Sequence, residues 1–217
     1  MSIEVLRRSI FQNNDRAAQE NRSLLDERGI TAVNIMGGAG CGKTTLLEHL
    51  IPQLRSDFAV AVLEGDLATT KDAARIAALD VPVIQLLTEG GCHLTATLVQ
   101  EALARLPLAE IDLLLIENVG NPICPANFDL GEHLRVAVLS VTEGDDKPAK
   151  YPFLFKVADQ VVITKVDLIA LTDFDRERAL RAIHALDKEK GVLTVSKKDA
   201  SSISQLADWL RSHVSTS

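Results

Sequence analysis

Two hydrophobic patterns alternate along the chain. Short apolar runs rich in β-branched residues are typical of buried strands, and apolar residues that return every three to four positions are typical of amphipathic helices. The strand-like runs are TAVNIM, FAVAVLE, VPVIQLL, IDLLLIEN, LRVAVLSV, QVVITKV and VLTVS. The helical stretches between them are TTLLEHLIPQL, LTATLVQEALARL, FDRERALRAIHAL and ISQLADWLRSH. This alternation predicts a three-layer α/β fold, in which helices flank a mostly parallel central sheet.

An N-terminal amphipathic helix is expected to precede this core. Apolar residues recur at helical spacing from Ile3 to about Arg28, and Gly29 is suited to end the helix. The polar segment TEGDDKPAKYP is expected to be a mobile loop. No repeat or Pro/Gly/Ser-rich linker divides the 217 residues, so we expect one domain, with the helix at 1–28 and the core at 29–217.

Composition and charge narrow the functional class. The formal net charge is −7 and no basic run occurs, which argues against nucleic acid as a partner. The sequence has no secretory signal and no stretch of about 18 uncharged apolar residues, so we expect a cytoplasmic protein that does not enter a membrane. The three cysteines are an odd number, which argues against a disulfide framework and raises the question of metal binding.

The strongest motif is GGAGCGKT, which matches the phosphate-binding pattern GxxxxGK[ST] between a predicted strand and a predicted helix. Backbone amides and the helix N-terminus surround phosphate oxygens in such a loop. We expect Lys43 to reach the β- and γ-phosphates, the Thr44 hydroxyl to bind Mg²⁺ and Thr45 to contact the α-phosphate. The predicted phosphate-binding residues are Gly37, Gly38, Ala39, Gly40, Cys41, Gly42, Lys43, Thr44 and Thr45. Cys41 is expected to fill the place of a small residue rather than to bind metal.

A second motif, VVITKVDL, resembles the [NT]KxD element with which GTPases select guanine. Asp167 would accept hydrogen bonds from the guanine imino and amino groups, which adenine lacks. Lys165 would cover the base with its aliphatic stem. Thr164 stands where Asn is commoner, and we expect weaker bracing of the loop as a result. The segment VSKKD resembles the last base-contacting loop and adds Ser196 and Lys197.

Two acidic residues end apolar strands on the side where the phosphates are expected. Asp66 and Glu117 are therefore candidates to hold Mg²⁺ directly or through water, and with Lys43 they form the candidate catalytic set. Gly120 is positioned to donate its amide to the γ-phosphate. The sequence offers no recognisable water-positioning glutamine or arginine finger, which predicts slow hydrolysis that a partner subunit assists.

A Cys-His pair, Cys92 and His93, and the distant Cys124 form a candidate metal site. Thiolate and imidazole ligands suit both Zn²⁺ and Ni²⁺. Three ligands leave a tetrahedral site open, which favours coordination shared across a twofold dimer. Cys124 follows Gly120 by four residues, so release of γ-phosphate contacts would be able to move a metal ligand. The alternative interpretation is that these cysteines are inert and buried.

The segments GGAGCGKTT, EGDLATTKDAARI, GCHL, LLIENVGN, ICPANFDLGE, VLSVTEGDDKPAKYPFLF and ITKVDL together resemble the HypB family, from near residue 30 to the C-terminus. The resemblance implies a P-loop GTPase that dimerises around nucleotide and uses Cys92, His93 and Cys124 as an interfacial nickel or zinc site. It further implies nickel delivery to a [NiFe]-hydrogenase large-subunit precursor, with a HypA-like metallochaperone as partner. The N-terminal segment contains no cysteine or histidine cluster, so nickel storage is not expected.

Other interpretations stay open at this point. A UreG-like urease accessory GTPase shares the phosphate loop but usually carries a contiguous Cys-Pro-His segment, whereas here Cys124-Pro125 has no following His. A small-molecule kinase would not need TKVD and would need an arginine-rich lid. A nucleotide-gated metal-binding scaffold would bind GTP without significant hydrolysis. Lys147 and Lys150 either contact nucleotide across a dimer or are simply solvated.

Overall fold

The computed structural model describes residues 2–66, 71–88 and 90–214. Within these ranges the strands are β1 Thr31–Gly37, β2 Val60–Asp66, β3 Val83–Leu87, β4 Leu113–Glu117, β5 Leu134–Ser140, β6 Gln160–Thr164 and β7 Gly191–Thr194. The helices are α1 Ser2–Arg28, α2 Lys43–Leu54, α3 Lys71–Ala77, α4 Ala96–Leu103, α5 Lys147–Lys150, α6 Pro152–Val157, α7 Arg176–Leu186 and α8 Ala200–His213. Short 3-10 turns lie at Leu108–Glu110, Pro125–Asn127 and Val166–Leu171.

The seven described strands form one sheet in the order β3-β2-β4-β1-β5-β6-β7. Every pairing among them is parallel, which confirms the predicted α/β fold with a parallel central sheet. Strands β2, β3 and β4 lie on one side of β1 in the sheet, whereas β5, β6 and β7 lie on its other side. The direction in which the chain adds strands to the sheet therefore reverses at β1. Ligands of such sheets collect at the carboxyl ends of the strands near this reversal.

Alternation of side chains along β1 explains the three layers. Val33 and Ile35 pack into the cluster beneath α2 and α8, whereas Ala32 and Met36 belong to clusters on the opposite face. Successive side chains of a strand point to opposite faces, so a strand that is apolar throughout needs cover on both. All seven residues of β1 are buried accordingly.

Polar residues mark where several helices begin. The Thr95 hydroxyl accepts a hydrogen bond from the Leu98 amide at 3.3 Å, which caps α4. Asp175 and Asp199 cap α7 and α8 in the same way. These side chains satisfy amides that have no partner within the first helical turn, and they fix where each apolar face begins.

The N-terminal helix α1, whose side chains are described from Gln12 onward, packs across α4. The Asn14 side chain donates to the Asp129 carbonyl at 2.8 Å and accepts from the Ala96 amide at 2.9 Å. Asn21 donates to the carbonyls of Ala96 and Leu130 at 2.8 and 2.9 Å. Two asparagines therefore join the start of α4 to the segment that leads into β5.

The polar segment 142–152 is not the irregular loop that its composition predicted. Lys147–Lys150 forms the single turn α5, and α6 begins at Pro152. Pro148 occupies the start of α5, where a proline needs no amide partner, and the Lys150 amide donates to the Asp146 carbonyl at 2.9 Å. The Lys147 ammonium lies 3.2 Å from the Asp146 carboxylate.

Among the helices of the described residues, none has the length and apolar character of a membrane-spanning helix.

Candidate nucleotide and metal sites

The phosphate loop connects β1 to α2 at the strand reversal. Gly42 has φ of 101°, a left-handed conformation that favours glycine and that turns the chain into α2. Lys43 and Thr44 are buried at the start of that helix. Cys41 is fully buried beneath the loop, and burial raises the pKa of its thiol to about 11. A neutral, enclosed thiol fits the packing role expected for Cys41.

Two buried carboxylates lie beside the phosphate loop. The Thr44 hydroxyl donates to Glu117 at 2.8 Å, and Glu117 is 4% exposed. Glu64 lies level with Glu117 on the neighbouring strand and is 2% exposed. Burial raises the pKa of each carboxyl to about 7, and the nearby Glu117 charge adds to the rise at Glu64.

This carboxylate pair fits a divalent cation. One oxygen of Glu64 and one of Glu117 are buried without a hydrogen-bond partner among the described residues. Buried charged groups are normally paired or bound to metal, and Mg²⁺ prefers oxygen ligands. Asp66, at the end of β2, lines the same cavity of about 350 Å³. Residues 67–70, which follow it in the EGDLATT segment, lie outside the described residues.

Sequence reasoning missed Glu64 and favoured Asp66 alone on this strand. The signal was present, because Glu64 interrupts the apolar run AVLEGD two residues before Asp66. Residues two apart on a strand share a face, so both side chains belong to one site. Glu64 is consequently a third acidic residue beside the two that the sequence predicted.

Arg75 is a second residue that sequence reasoning missed. Its guanidinium lies 2.6 Å from Glu48, 2.8 Å from Asp72 and 3.0 Å from the Thr45 hydroxyl. The side chain lines the same cavity as Lys43. The phosphate end of the site therefore contains an arginine in addition to the loop lysine, held by two carboxylates from α2 and α3.

The predicted guanine site forms an adjoining cavity of about 440 Å³, lined by Lys165, Asp167 and Lys197 among others. Asp167 accepts a hydrogen bond from the Ser196 hydroxyl at 2.8 Å and lies 3.2 Å from the Lys198 ammonium. These two contacts, Ser196 foremost, hold the pKa of Asp167 below its usual range. The structure thus brings the TKVD and VSKKD segments together around an ionised carboxylate.

Thr164 and Lys165 brace this cavity against the phosphate loop. The Thr164 hydroxyl donates to the Cys41 carbonyl at 2.6 Å, so Thr164 itself contacts the phosphate loop. Lys165 adopts a left-handed conformation with φ of 59°, and its ammonium donates to the Gly40 carbonyl at 2.7 Å. Both residues therefore contact the loop that precedes α2.

The candidate metal ligands converge although 31 positions separate His93 from Cys124. One ligand atom each of Cys92, His93 and Cys124 lies within 4.8 Å of the others. All three cysteines of the chain are free thiols, and Cys92 is exposed. The His93 ring stacks on Phe128 at a centroid distance of 3.8 Å. Burial lowers the pKa of His93, which favours the neutral imidazole that binds metal.

The connection that carries Cys124 also contacts the phosphate loop. A Cβ atom at Gly120 would lie 2.8 Å from Ala39 Cα, so only glycine permits this approach to the phosphate loop. Cys124 follows Gly120 within the same connection between β4 and β5. Gly120 therefore lies against the phosphate loop, four residues before a candidate metal ligand.

Comparisons with known proteins agree with this arrangement. The family model for the CobW/HypB/UreG nucleotide-binding domain matches residues 31–194. The hydrogenase maturation factor HypB of Escherichia coli K12 is 42% identical over 201 residues, which are 93% of this chain and 69% of that protein. The probable hydrogenase maturation factor HypB of Methanocaldococcus jannaschii is 40% identical and covers 95% of this chain and 94% of its own. The structure of Helicobacter pylori HypB in complex with nickel aligns with a TM-score of 0.88 at 35% identity, over 94% and 98% of the two chains.

Proposed function

This chain belongs to the HypB family of P-loop GTPases that act in hydrogenase maturation, and from that premise we propose that it couples GTP binding and hydrolysis to nickel delivery. The observation that carries this proposal is the convergence of Cys92, His93 and Cys124 within 4.8 Å of one another, with Cys124 on a connection that also contacts the phosphate loop. The recipient would be the large-subunit precursor of a [NiFe]-hydrogenase. The nickel-bound structure of the Helicobacter pylori relative supports the choice of metal.

GTP would occupy the two adjoining cavities. Asp167 would accept hydrogen bonds from the guanine base, while Lys165 covers it and Ser196 and Lys197 complete the loop beside it. The residues from Gly37 to Thr45 would hold the phosphates. Adenine has no donor for the Asp167 carboxylate, so bound ATP would leave this group unpaired with the base. The protein would therefore prefer GTP to ATP.

The chain offers Thr44, Asp66 and Glu117 to hold Mg²⁺ with the nucleotide. Bound Mg²⁺ neutralises negative charge on the phosphates. Lys43 would stabilise the charge that develops on the γ-phosphate, and Gly120, which lines the same cavity, would donate its amide to that group. Arg75 lines this cavity and is ion-paired with Glu48. We expect intrinsic hydrolysis to be slow.

The Cys/His cluster would hold nickel or zinc. Soft thiolate and imidazole donors suit both metals, and three ligands leave at least one position for a ligand from a second copy or from a metal acceptor. An exposed Cys92 makes that position accessible. We therefore infer a homodimer that GTP or metal promotes, and exchange of metal with a HypA-like metallochaperone. We also place the protein in the cytoplasm.

The domain organisation follows the continuous sheet. Residues 1–217 would form a single GTPase domain, with the helix of 1–28 packed on a nucleotide- and metal-binding core of 29–217. The two asparagines of α1 support this arrangement, because they hydrogen-bond to core segments that follow the metal ligands.

Calorimetric titration of Ni²⁺ into the reduced protein tests the proposal. Titrations are compared with GDP and with a non-hydrolysable GTP analogue bound, for the wild type and for Cys92→Ala and Cys124→Ala. We expect nucleotide-dependent affinity in the wild type and a loss of about tenfold or more in each variant, because each removes a thiolate ligand. His184→Ala, at an exposed histidine, is the matched control.

Two outcomes contradict this proposal. If nickel affinity is the same with both nucleotides, metal binding is not coupled to the nucleotide. If the cysteine variants bind nickel like the wild type, the Cys/His cluster is not the nickel site. Single-turnover GTP cleavage on addition of Mg²⁺ separates an enzyme from a nucleotide-gated scaffold, since a scaffold would release no phosphate.

A further inference from the structure

The two metal-binding segments are anchored to different parts of the fold. The segment of Cys92 and His93 is held by the core, because the Leu94 amide donates to buried Asn118 at 3.3 Å and Asn118 donates to Asn34 of β1 at 3.2 Å. The start of α4, just beyond, is held by α1. Cys92 and His93 therefore form the side of the site that is held by buried Asn118, just after β4, and by the start of α4.

The segment of Cys124 is instead attached to the phosphate loop. Asn121 forms an isolated antiparallel bridge with Gly37, the first glycine of that loop. Its neighbour Gly120 approaches Ala39 so closely that a Cβ atom would lie 2.8 Å from Ala39 Cα. A displacement of the phosphate loop would therefore move the backbone of Asn121 directly, because both Gly120 and Asn121 contact that loop.

The Asn121 side chain continues this connection to the metal ligand. Its oxygen accepts hydrogen bonds from the Ile123 amide at 2.8 Å and the Cys124 amide at 3.4 Å. Asparagine favours such turns because its amide reaches backbone groups two and three residues ahead.

Prolines make the connection short and stiff. Pro122 follows Asn121, and Pro125 follows Cys124 at the start of a 3-10 turn. Each proline fixes its own φ angle and restricts the residue before it. Few backbone torsions therefore remain free between the Gly37 bridge and the Cys124 sulfur.

We propose that Asn121 is the positioning residue that transmits the state of the phosphate loop to Cys124, and so sets how strongly bound nucleotide changes metal affinity. This inference rests on the proposed function. Nucleotide would move Cys124 relative to the fixed pair of Cys92 and His93, and the distances among the three ligands would change. Asn121 itself contacts neither the metal nor the nucleotide in this mechanism.

The test measures a coupling ratio, the Ni²⁺ dissociation constant with GDP divided by that with a non-hydrolysable GTP analogue. A ratio that differs from unity by about 5- to 150-fold is the usual range of coupling between two sites. Asn121→Ala should bring the ratio to within about twofold of unity, because the backbone bridge remains but the link to Cys124 is cut. Asn121→Asp should keep most of the coupling, since a carboxylate accepts from the same two amides.

Asn127→Ala is the matched control. Asn127 lies in the same connection and donates to the Ile123 carbonyl at 2.8 Å, but it has no described contact with the phosphate loop. It should retain the wild-type ratio, even if absolute affinity falls. GDP affinity in metal-free protein checks that each variant is folded. Because coupling between two sites is reciprocal, Ni²⁺ must change the relative affinities for GDP and the GTP analogue by the same ratio.

The outcomes separate the two proposals. A wild-type ratio of one overturns the proposed function and this inference with it. A coupled wild type with Asn121→Ala unchanged overturns only the role of Asn121, as does an equal loss in Asn127→Ala, which would indicate general loosening of the connection. Loss in Asn121→Ala with retention in Asn121→Asp and Asn127→Ala supports it.

Discussion

Glu64 and Glu117 are costly residues in the metal-free fold. They are neighbours on β2 and β4, both are buried, and each has one oxygen without a hydrogen-bond partner in the described part of the chain. Burying a carboxylate without a countercharge disfavours its ionised form. The pair is therefore suited to hold protons until a divalent cation supplies the missing charge.

This arrangement predicts how stability depends on pH in metal-free, nucleotide-free protein. The pKa of Glu64 rises from 4.5 to about 7 on folding, so the folded state binds this proton more tightly than the unfolded chain. The resulting stabilisation is complete below pH 4.5 and is lost as the pH rises through about 7. Glu64→Gln cannot ionise, and we expect it to be about 1–3 kcal/mol more stable than the wild type at pH 8, with little difference at pH 5.

Urea unfolding at several pH values in the presence of a chelator measures this effect. Glu101→Gln, at an exposed glutamate of α4, is the control and should follow the wild-type curve. If Glu64→Gln shows the same dependence on pH as the wild type, the buried acid does not contribute to it. Added Mg²⁺ should reduce the difference between the wild type and Glu64→Gln, because it compensates the charge that Gln lacks.

At the scale of elements, α1 holds the segments that follow both groups of candidate metal ligands. Asn21 is completely buried, and its amide donates to the carbonyl of Ala96, the first residue of α4, and to the Leu130 carbonyl ahead of β5. Gly131, with φ of 91°, lets the second segment approach α1, where a Cβ atom would lie 2.6 Å from the Asn21 Cβ. The helix therefore determines how far apart these segments lie.

Asn21→Ala should destabilise the protein by about 2–4 kcal/mol, because two buried carbonyl groups lose their donor. Asn13→Ala is the matched control, since Asn13 is an exposed asparagine of the same helix, and its effect should stay within about 0.5 kcal/mol. Chemical denaturation followed by circular dichroism measures both. A loss in Asn21→Ala no larger than that of the control would contradict the bracing role of α1.

The elements that sequence predicted are those with a long, regular pattern. All seven strands of the sheet arise from the seven apolar runs, and the phosphate loop lies between β1 and α2 as its motif requires. The short helices α3, α5 and α6 were missed because four to seven residues provide too little periodicity.

Contacts between distant segments explain the other differences. Arg75 lines the phosphate cavity and is held there by its ion pair with Glu48 of α2, which no local pattern records. Thr164 braces the loop through a carbonyl that lies 123 residues earlier. The register of β2 against β4, which pairs Glu64 with Glu117, is likewise a property of the assembled sheet. Motifs predict chemistry that is local in sequence, whereas these contacts join residues that are far apart in the sequence.

At the scale of the whole molecule, a largely apolar groove lies next to the segment of Cys124. Ile123, next to Cys124, is 54% exposed, and Phe153 is 47% exposed. Together with Pro122 and Tyr151 they line a groove of about 350 Å³. Burial of such side chains is a main source of association energy, so this surface agrees with the proposed homodimer across the metal site.

Light scattering with Ni²⁺ and a non-hydrolysable GTP analogue should give twice the monomer mass for the wild type. Ile123→Glu should weaken dimerisation by about tenfold or more, because an isoleucine contributes roughly 1.5–3 kcal/mol when buried and a glutamate would oppose its own copy across the twofold axis. Leu171→Glu is the control, since Leu171 is 82% exposed and follows β6, on the guanine side of the sheet. A wild type that stays monomeric would contradict the homodimer. A control that dissociates as readily as Ile123→Glu would contradict an interface at Ile123. Nickel titration of Ile123→Glu establishes that its three candidate ligands still bind the metal.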